Sequence, residues 1–339
     1  MTVRVGINGF GRIGRQVLRT AHTKAVGWRV VHINDVNADV DNAAHLLRYD
    51  STHGRWDQEV RSTEETLSIG KQQISFSRWS SPQESAWDQQ RVELLLECTG
   101  QYKGVQSLQP CLQQGVATVL VATPILHQSV LNVVMGVNEK LYDPHKHQII
   151  TAASCTTNSV APVLRVILQA LGVVRGSITT IHAANSAQNI VDGYRGDWRR
   201  GRAASISMFP TTTSAARTIG TIFPQLAGKM DGMAVRVPLL HASLTDLTLE
   251  VARPTSVAEV NALLQQAAQG ELQGILGYSV EPLVSIDYSN ESRSAVIDAL
   301  STQVIDQKLV KILAWYDNES GYCNRLVELI NHVLAQKKR

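Results

Sequence analysis

The first fifteen residues of the chain limit its fold more than any later stretch. "VRVGI" is rich in β-branched residues, and it is followed at once by the turn "NGFGRIGR" and by a helical pattern through Ala21. Gly9, Gly11 and Gly14 form G-x-G-x-x-G at this junction of strand and helix. Such glycines permit a tight turn, a close approach of the backbone to a pyrophosphate, and amide N–H groups that face the anion. The opening therefore predicts a dinucleotide-binding βαβ unit.

An acidic residue follows the second predicted strand at the spacing that a dinucleotide site requires. "WRVVHIND" has the pattern of a strand, and Asp35 lies 21 residues beyond Gly14. A carboxylate there accepts hydrogen bonds from the ribose hydroxyls of NAD and repels the 2'-phosphate of NADP. The position of the motif therefore favours NAD over NADP. The alternative is that the glycines serve only a tight turn between strand and helix.

Strand and helix patterns alternate through the first half of the chain, and the second half is richer in strand patterns. "VELLLECTG", "VQSLQPCLQQG" and "TVLVAT" continue the alternation, which predicts parallel βαβ units. From about residue 155, β-rich stretches such as "GSITTIHAA" and "SLTDLTLEVARP" come close together. The prediction is an α/β protein: an N-terminal Rossmann dinucleotide-binding domain plus an α+β catalytic domain with a mixed or antiparallel sheet. We place the first domain at residues 1–154, completed by the C-terminal helix over 320–339, and the second at residues 155–319.

The composition is that of an ordinary globular protein. Of the 339 residues, 44% are hydrophobic and 18% are charged, and the formal net charge is only +3. We expect no nucleic-acid partner and no membrane segment, because the basic residues are scattered and Arg165 interrupts the longest aliphatic stretch. The strand-like start has no secretory leader pattern. The four cysteines are too widely spaced for a metal site, which indicates reduced thiols in the cytoplasm: Cys98, Cys111, Cys155 and Cys323.

The stretch "TAASCTTNSV" sets one cysteine at a predicted junction between strand and helix. A sulfur near a helix N-terminus feels the helix dipole and main-chain N–H groups, so we expect a lowered pKa for Cys155. His182 ends another predicted strand 27 residues later. Because two strand ends of one sheet can meet, the pair predicts a nucleophilic thiol activated by an imidazole. The spacing alone leaves open the alternative of a buried, inert cysteine and a structural histidine.

Hydroxyl groups surround this cysteine. Ser154, Thr156 and Thr157, together with the amides of the helix start, are suited to donate hydrogen bonds to an anion. The pattern therefore predicts a reaction that carries or consumes phosphate.

Motifs along the whole chain resemble those of one enzyme family. The match is carried by "VGINGFGRIGR", "LLRYDSTHGRW", "MGVNEKLYD", "ASCTTN", "AVRVP" and "WYDNESGYCNR". Together they resemble phosphorylating glyceraldehyde-3-phosphate dehydrogenase. "LECTGQY" is also similar to the erythrose-4-phosphate dehydrogenases, and "YDPHKHQIITAASCTTN" and "FPTTT" are similar to the dehydrogenases encoded beside arsenic-efflux genes.

The resemblance implies a two-step oxidation of a phosphorylated aldehyde, with glyceraldehyde 3-phosphate ahead of erythrose 4-phosphate. Cys155 would attack the aldehyde, His182 would accept the hydroxyl proton, and the hydride would pass to NAD. Inorganic phosphate, or arsenate as its analogue, would then release the acyl product from the thioester. The same resemblance implies a homotetramer with an interface loop around residues 184–205.

The resemblance also assigns residues to each ligand. Those implied for the cofactor, besides the three glycines, contact its pyrophosphate, adenine, ribose and nicotinamide groups: Arg12, Ile13, Asp35, Thr99 and Asn318. Those implied for the attacking phosphate are hydroxyls and one guanidinium, which binds phosphate oxygens as a fork: Ser154, Thr156, Thr213 and Arg236.

One stretch departs from the family pattern. After the histidine, the family carries two threonines that hold the substrate's own phosphate, whereas this chain has Asn185 and Ala187. Asn185 can donate to phosphate and Ala187 cannot, which costs about 1–3 kcal/mol where an oxygen is left unpaired. Ser214 replaces a glycine beside Thr213 and joins the residues implied for phosphate. These changes keep erythrose 4-phosphate open as the substrate, because its dehydrogenases also lack those threonines.

Two other classes of protein stay open. Semialdehyde dehydrogenases also join a Rossmann domain to a domain with cysteine and histidine, but they usually favour NADP, which Asp35 opposes. A non-catalytic NAD-binding module would keep the fold without the chemistry. The presence of Cys155, His182, Arg236 and Asn318 argues against that loss of function.

Overall fold

The computed structural model describes residues 2–337. The chain forms two compact units. The first unit comprises Met1–Val133, Glu139–Ala153 and Cys323–Arg339, and the second comprises Val134–Asn138 and Ser154–Tyr322. The first unit therefore takes segments from both ends of the sequence.

The first unit consists of strands with helices between them. In chain order the elements are β1 (Val3–Asn8), α1 (Arg12–Thr23), β2 (Trp28–Asn34), α2 (Val40–Arg48), β3 (Tyr49–Asp50), β4 (Gly54–Arg55), β5 (Val60–Thr63), β6 (Thr66–Ile69), β7 (Gln72–Ser77), β8 (Leu94–Glu97), α3 (Val105–Gln113), β9 (Thr118–Val121), β10 (Leu131–Asn132) and β11 (Ile149–Thr151).

The large sheet of this unit has the order β10-β11-β9-β8-β1-β2-β7-β6-β5. All pairs from β10 to β7 are parallel, which agrees with the Rossmann prediction, and β6 and β5 extend one edge as antiparallel strands. The central strands are buried on both faces: Leu94, Leu95 and Leu96 of β8 have no exposed surface. A continuous aliphatic run of this kind is what a central parallel strand requires.

The antiparallel edge of the sheet was not predicted from the sequence. Its strands β5 and β6 are four residues long, and each mixes buried with half-buried or exposed side chains. So short an alternation is weak evidence for a strand, because two or three polar positions decide it.

Among the described residues, the second unit consists of one sheet and three α-helices, of which the first is the longest. In chain order the elements are α4 (Cys155–Leu171), β12 (Val173–His182), β13 (Phe209–Thr212), α5 (Ala215–Ile222), β14 (Met230–Arg236), β15 (Ser243–Val251), α6 (Val257–Gln269), β16 (Leu276–Ser279), β17 (Ala295–Asp298), β18 (Gln303–Ile305) and β19 (Leu309–Tyr316).

This sheet is mixed, as predicted. Its order is β13-β14-β12-β15-β19-β17-β16, with β18 paired to β19. The pairs β12–β14 and β16–β17 are parallel, and the others are antiparallel. Buried and half-buried residues alternate strictly along β15, because one face of the sheet packs against α4 and the other does not.

The final helix, α7, runs from Ser320 to Gln336, and most of it belongs to the first unit. There Asn331 Oδ1 accepts a hydrogen bond of 2.8 Å from Trp28 Nε1, and Glu328 forms an ion pair of 3.2 Å with Lys24. These contacts connect the last helix to the end of α1 and the start of β2.

Neither a membrane-spanning helix nor a metal cluster is found in the described part of the chain. Within residues 2–337, no helix combines the length and the apolarity that crossing a bilayer requires. The same residues include no group of three or more His, Cys, Asp or Glu placed to hold a metal ion.

Candidate active site

The glycine turn of the first unit fits a dinucleotide. Gly9 has a φ of +90°, and a Cβ there would lie 2.6 Å from the main-chain nitrogen of Thr99. A Cβ on Gly14 would collide with the carbonyl oxygen of Gly9, so the helix start and the turn are in direct contact. Gly11 has nothing within 4 Å of its Cβ position. Two glycines therefore close the turn, and the third leaves open space where a pyrophosphate can approach.

Three of the residues expected to bind the cofactor lie beside this turn. Arg12 and Ile13 are the first two residues of α1, the end of a helix that attracts anions. The Arg12 guanidinium itself is held by Asp50 through two hydrogen bonds of 3.1 Å. Asp35 follows β2 directly, and its Oδ2 accepts a hydrogen bond of 2.7 Å from the amide of Phe10. The first unit therefore has an acidic group next to the glycine turn, as a ribose site needs.

The cysteine of the second unit begins its longest helix. Cys155 is the first residue of α4, and Ser154 caps the helix by accepting a hydrogen bond from the amide of Thr157. The preceding residue, Ala153, has a φ of +54°, a left-handed conformation that costs a non-glycine residue roughly 1 kcal/mol. This strained turn places the sulfur at the helix N-terminus, as the sequence predicted.

Cys155 and His182 lie together. The distance from Cys155 Sγ to His182 Nε2 is 3.5 Å, within hydrogen-bond range for sulfur. His182 ends β12, and the parallel pairing of β12 with β14 sets it directly beside Arg236. Nη1 of Arg236 lies 2.5 Å from Nδ1 of His182 and donates to the carbonyl oxygen of Ala183 at 2.8 Å. The sheet register therefore builds a row of thiol, imidazole and guanidinium.

The imidazole can carry its proton on either nitrogen, and its neighbours favour different forms. Arg236 has no acceptor, so its contact with Nδ1 favours the tautomer with hydrogen on Nε2, which donates toward Cys155. The Ala183 carbonyl lies 2.8 Å from Nδ1 and favours the other tautomer, in which Nε2 can accept a proton. The same nitrogen of His182 can thus donate to a sulfur anion and accept from a hydroxyl.

The expected direction of the cysteine pKa was wrong. Burial raises the pKa of the Cys155 thiol, and the charge of Arg236 and the amide of Thr156 oppose this only in part. Burial, with a smaller contribution from Arg236, lowers the pKa of His182 to about 4. The helix dipole is worth less than the loss of hydration around a charged sulfur. At neutral pH the resting pair is therefore a thiol and a neutral imidazole, which is the form of histidine that accepts protons.

The hydroxyls beside the cysteine already have partners within the unit. Ser154 Oγ shares a hydrogen bond of 2.8 Å with Thr157 Oγ1. Thr156 Oγ1 shares one of 3.1 Å with the Oη of Tyr316, which also bonds Thr180 Oγ1 at 2.8 Å. These groups form a fixed polar wall under the helix start rather than a set of unengaged donors.

Tyr316 lies beside His182 and was not among the site residues predicted from the sequence. It ends β19, is 1% exposed, and sets its ring edge-on to His182 with centroids 6.2 Å apart. The available signal was its place inside "WYDNESGYCNR", one of the motifs that carry the family resemblance. That signal is weak because a buried tyrosine at a strand end is more often core than site.

The residues expected to bind phosphate fall at separate places. Thr212, the residue before Thr213, pairs with Met233, three residues from Arg236 along β14, so roughly 10 Å of strand separates the two positions. Ser214 caps α5 without a side-chain hydrogen bond. Asn185 is exposed, and its Oδ1 accepts a hydrogen bond of 3.0 Å from the amide of Ala187. Arg236 thus lies with His182, whereas Thr213 and Ser214 belong to a second position.

Asn318 is held in one orientation. It is 7% exposed, and its Oδ1 accepts a hydrogen bond of 3.2 Å from the hydroxyl of Ser243. Ser243 Oγ in turn accepts one of 3.1 Å from the amide of Ala183, next to His182. Because its oxygen is engaged by Ser243, the amide nitrogen of Asn318 is the group that can donate to a ligand.

A glycine turn built for a dinucleotide and a thiol–imidazole pair in one chain define a class of protein: oxidoreductases that use a nicotinamide cofactor and a cysteine. Residues 3–105 match the model of the glyceraldehyde 3-phosphate dehydrogenase NAD binding domain, and residues 154–318 match that of the C-terminal domain of the same enzyme. The chain belongs to the glyceraldehyde-3-phosphate dehydrogenase family, and its cofactor is NAD.

Relatives from several bacteria match over the full length. Glyceraldehyde-3-phosphate dehydrogenase 3 of Nostoc sp. is 52% identical over 342 residues, which cover 100% of both chains. Glyceraldehyde-3-phosphate dehydrogenase of Geobacillus stearothermophilus is 45% identical over 336 residues, covering 99% of each chain. That of Pseudomonas aeruginosa is 44% identical over 330 residues, covering 97% of each.

Proposed function

We propose that this protein oxidises glyceraldehyde 3-phosphate with NAD and inorganic phosphate, giving 1,3-bisphosphoglycerate. The observation that carries the proposal is the Cys155–His182 pair, 3.5 Å apart, in a chain of this family. A thiol at a helix start beside a neutral imidazole is suited to covalent catalysis on an aldehyde.

The first step is the addition of sulfur to the aldehyde. As Cys155 Sγ forms its bond to the carbonyl carbon, His182 Nε2 takes the thiol proton and the carbonyl electrons move to oxygen. The imidazolium then returns that proton to the oxygen, which gives a thiohemiacetal. A base with a pKa of about 4 stays neutral at pH 7 and is ready to start this cycle.

The second step removes two electrons from the thiohemiacetal. NAD, when bound, accepts the hydride. His182 Nε2 accepts the hydroxyl proton at the same time, so the carbon becomes a thioester carbonyl. The oxygen of Asn318 accepts from Ser243, so its side-chain N–H would be the group that holds the nicotinamide carboxamide.

The third step releases the product. A phosphate oxygen bonds to the thioester carbon, and the bond to sulfur breaks with its electrons left on Cys155. Arg236 and the Nε2–H of His182 stabilise the departing sulfur anion, because both are donors close to it. In this proposal the attacking phosphate is bound by Ser154, Thr156, Thr213 and Arg236, with Ser214 beside Thr213, and Asn185 donates to the substrate's own phosphate.

NAD would be held in the first unit by the amides of Arg12 and Ile13 at the start of α1, which would bind its pyrophosphate beside Gly11. Asp35 would accept hydrogen bonds from the ribose hydroxyls, and Thr99 would line the edge of the pocket.

Erythrose 4-phosphate is the second candidate substrate. The Oδ1 of Asn185 accepts a hydrogen bond from the main-chain amide of Ala187, and the side chain of Ala187 has no donor. Of these two side chains, only the amide of Asn185 is therefore available to bind the substrate's phosphate. Weaker binding of this phosphate is compatible with a phosphate that lies one carbon further from the aldehyde.

The test is an NADH absorbance assay of glyceraldehyde 3-phosphate and erythrose 4-phosphate, each with phosphate and with arsenate. We expect the higher kcat/KM with glyceraldehyde 3-phosphate and turnover that requires either anion. Turnover that ignores both anions would exclude the phosphorolysis step. A higher kcat/KM with erythrose 4-phosphate would transfer the assignment to that substrate.

The proposal includes a cytoplasmic homotetramer. The support is the exposed apolar surface within residues 184–205, where Ile190, Tyr194 and Trp198 are 80%, 106% and 89% exposed. Large apolar side chains clustered on one exposed loop are typical of a protein interface. Light scattering that gives the mass of four chains is the expected result, and the mass of one chain would contradict it.

A further inference from the structure

Four polar side chains end four neighbouring strands of the first unit. Ser77, Asn34, Asn8 and Glu97 are the last residues of β7, β2, β1 and β8. In the sheet register Ser77 pairs with Asn34, Asn34 with Asn8, and Asn8 with Glu97. Neighbours in register point to the same face. We call this row the polar ladder.

Hydrogen bonds run through the polar ladder in one direction. Ser77 Oγ donates to Asn34 Oδ1 at 2.9 Å, Asn34 Nδ2 donates to Asn8 Oδ1 at 2.8 Å, and Asn8 Nδ2 donates to Glu97 Oε2 at 2.5 Å. The backbone of Trp79 fixes this direction, because its N–H donates to Asn34 Oδ1 at 2.7 Å and its carbonyl accepts from Asn34 Nδ2 at 3.1 Å. Neither asparagine can therefore turn its amide over.

Glu97 is the acceptor at which the ladder ends. It is 1% exposed. Its Oε2 serves Asn8, and its Oε1 accepts from both the amide of Thr99, at 2.7 Å, and the hydroxyl of Thr99. All three donors are neutral. Burying a carboxylate without a cation costs free energy, so its presence at this position calls for a function that its two acceptor oxygens perform.

The residues that the Glu97 carboxylate holds indicate this function. Thr99 is in contact with Gly9: the amide of Thr99 lies 2.6 Å from where a Cβ on Gly9 would be. The backbone adds to this connection, since Cys98 N donates to Asn8 O at 2.7 Å and Gly9 N donates to Asn34 O at 2.8 Å. Glu97 thus holds Thr99 directly and the start of the glycine turn through Asn8.

We propose that Glu97 is a positioning residue for NAD, which fixes the Thr99 edge and the glycine turn against each other through its two carboxylate oxygens. This inference rests on the proposed function, in which Thr99 and the turn contact the cofactor. Glu97 itself does not touch the reacting groups.

Glutamine cannot replace this carboxylate. Its amide has one acceptor oxygen, whereas Glu97 receives N–H donors on both sides, from Asn8 and from Thr99. The Glu97→Gln variant must therefore set an NH2 group against a donor on one side, and the fixed direction of the ladder prevents Asn8 from turning to adapt. Either Thr99 or the Asn8 end of the turn then shifts.

The experiment measures NAD affinity by calorimetry on the full chain without substrate, together with kcat, KM for NAD and the melting temperature. Glu97→Gln should raise both the Kd and the KM for NAD by about tenfold, while kcat at saturating NAD stays within about twofold. Glu97→Asp keeps the charge but withdraws the carboxylate by one carbon, and its affinity for NAD should lie between those of wild type and Glu97→Gln.

Two variants serve as controls. Glu93→Gln changes an exposed carboxylate just before β8, whose Oε1 accepts from the amide of Arg4 at 3.0 Å, and should leave NAD affinity unchanged. Ser77→Ala removes the hydrogen bonds to Asn34 and His32 at the end of the polar ladder remote from Thr99. It should lower the melting temperature slightly with little change in affinity.

The inference is overturned if Glu97→Gln and Glu97→Asp bind NAD within twofold of wild type, or if kcat falls as much as affinity. If Glu97→Gln does not fold, Glu97→Asp decides by the same criterion, and failure of both to fold would assign Glu97 to stability alone. Wild-type protein that binds no NAD would instead contradict the proposed function, so the two failures are distinguishable.

Discussion

His32 in the first unit and His182 in the second are buried to a similar degree, yet only one of them lies at a reactive group. They are 2% and 7% exposed, and burial lowers the pKa of each to about 4. His32 Nδ1 bonds the hydroxyl of Ser75 at 2.6 Å and its Nε2 bonds that of Ser77 at 2.7 Å. His182 instead directs Nε2 at the half-buried thiol of Cys155.

The comparison shows that a shifted pKa does not identify a catalytic histidine. Ser77 gives its hydroxyl proton to Asn34, so it accepts from His32 Nε2 and favours one tautomer, and the ring is held in place with Trp79 stacked on it at 4.6 Å. The partners of His182 compete for opposite tautomers, which leaves Nε2 able to gain and lose a proton. The chemistry of the partners, more than burial, separates a structural from a reactive imidazole.

The strongest way to break this comparison is to remove each imidazole in turn. His182→Asn should lower kcat by about 10²–10⁴, because it removes the group that moves protons at the thiohemiacetal. His32→Asn should leave kcat within about twofold. Steady-state NADH kinetics of both purified variants decide the matter, and a similar loss of kcat in the two would erase the distinction.

The second test measures stability instead of the reaction rate. His32→Ala should reduce the free energy of unfolding by about 2–4 kcal/mol, because it leaves a cavity beside Trp79 and Trp87 and removes the ring partner of the Ser75 and Ser77 hydroxyls. Urea unfolding followed by tryptophan fluorescence measures it. His145→Ala, at an exposed position, is the control and should change the value by less than about 0.5 kcal/mol. An equal effect in the two variants would show that the His32 pocket is not a stabilising element.

The third test uses pH. Both folded pKa values are near 4, below the ordinary 6.5, so the unfolded chain binds more protons between these values. The contribution to stability is complete above pH 6.5 and is lost as the pH falls toward 4, by roughly 3 kcal/mol at most for each histidine. Unfolding at pH 7 and pH 4.5 should show a smaller decrease in His32→Gln than in wild type. An unchanged decrease would mean that His32 titrates normally.

The smallest expected effect concerns the polar wall under the start of α4, which includes Tyr316. Tyr316→Phe removes the hydroxyl that bonds Thr156 and Thr180, and should lower kcat by about 3–10-fold through looser placement of the helix start. Thr180→Val keeps the phenol and should cost less. Rates equal to wild type in both variants would limit Tyr316 to packing.

Local sequence patterns were enough to predict the Rossmann unit, the mixed second sheet, and the meeting of Cys155 with His182. The glycines of the turn are separated by only a few residues, so their roles follow from steric rules. The Cys155–His182 contact was predicted, but the premise that two strands of one sheet end there was wrong: β11, which precedes Cys155, belongs to the sheet of the first unit, and β12, which ends at His182, belongs to that of the second. What the sequence did show was each residue's place at the end of a predicted strand.

Features that depend on register or on desolvation were not predictable. The polar ladder joins Asn8 to Glu97 across 89 positions of sequence, and nothing local to either residue indicates the pairing. The raised pKa of Cys155 reflects how deeply the folded chain surrounds it, whereas its helix N-terminus, which the sequence does show, favours the opposite direction. Tyr316 was missed for the same reason, since its partners come from α4 and β12.

The parallel pairing of β12 with β14 has a practical consequence for protein engineering. Main-chain hydrogen bonds, rather than loops, set His182 beside Arg236, so the reacting centre shares the stiffness of the sheet. Asn185 and Ala187 follow β12, are exposed and lie outside that pairing. These two positions alone, without the rest of the proposed interface loop, can therefore be varied for aldehydes of other lengths while the proton-transfer geometry stays unchanged.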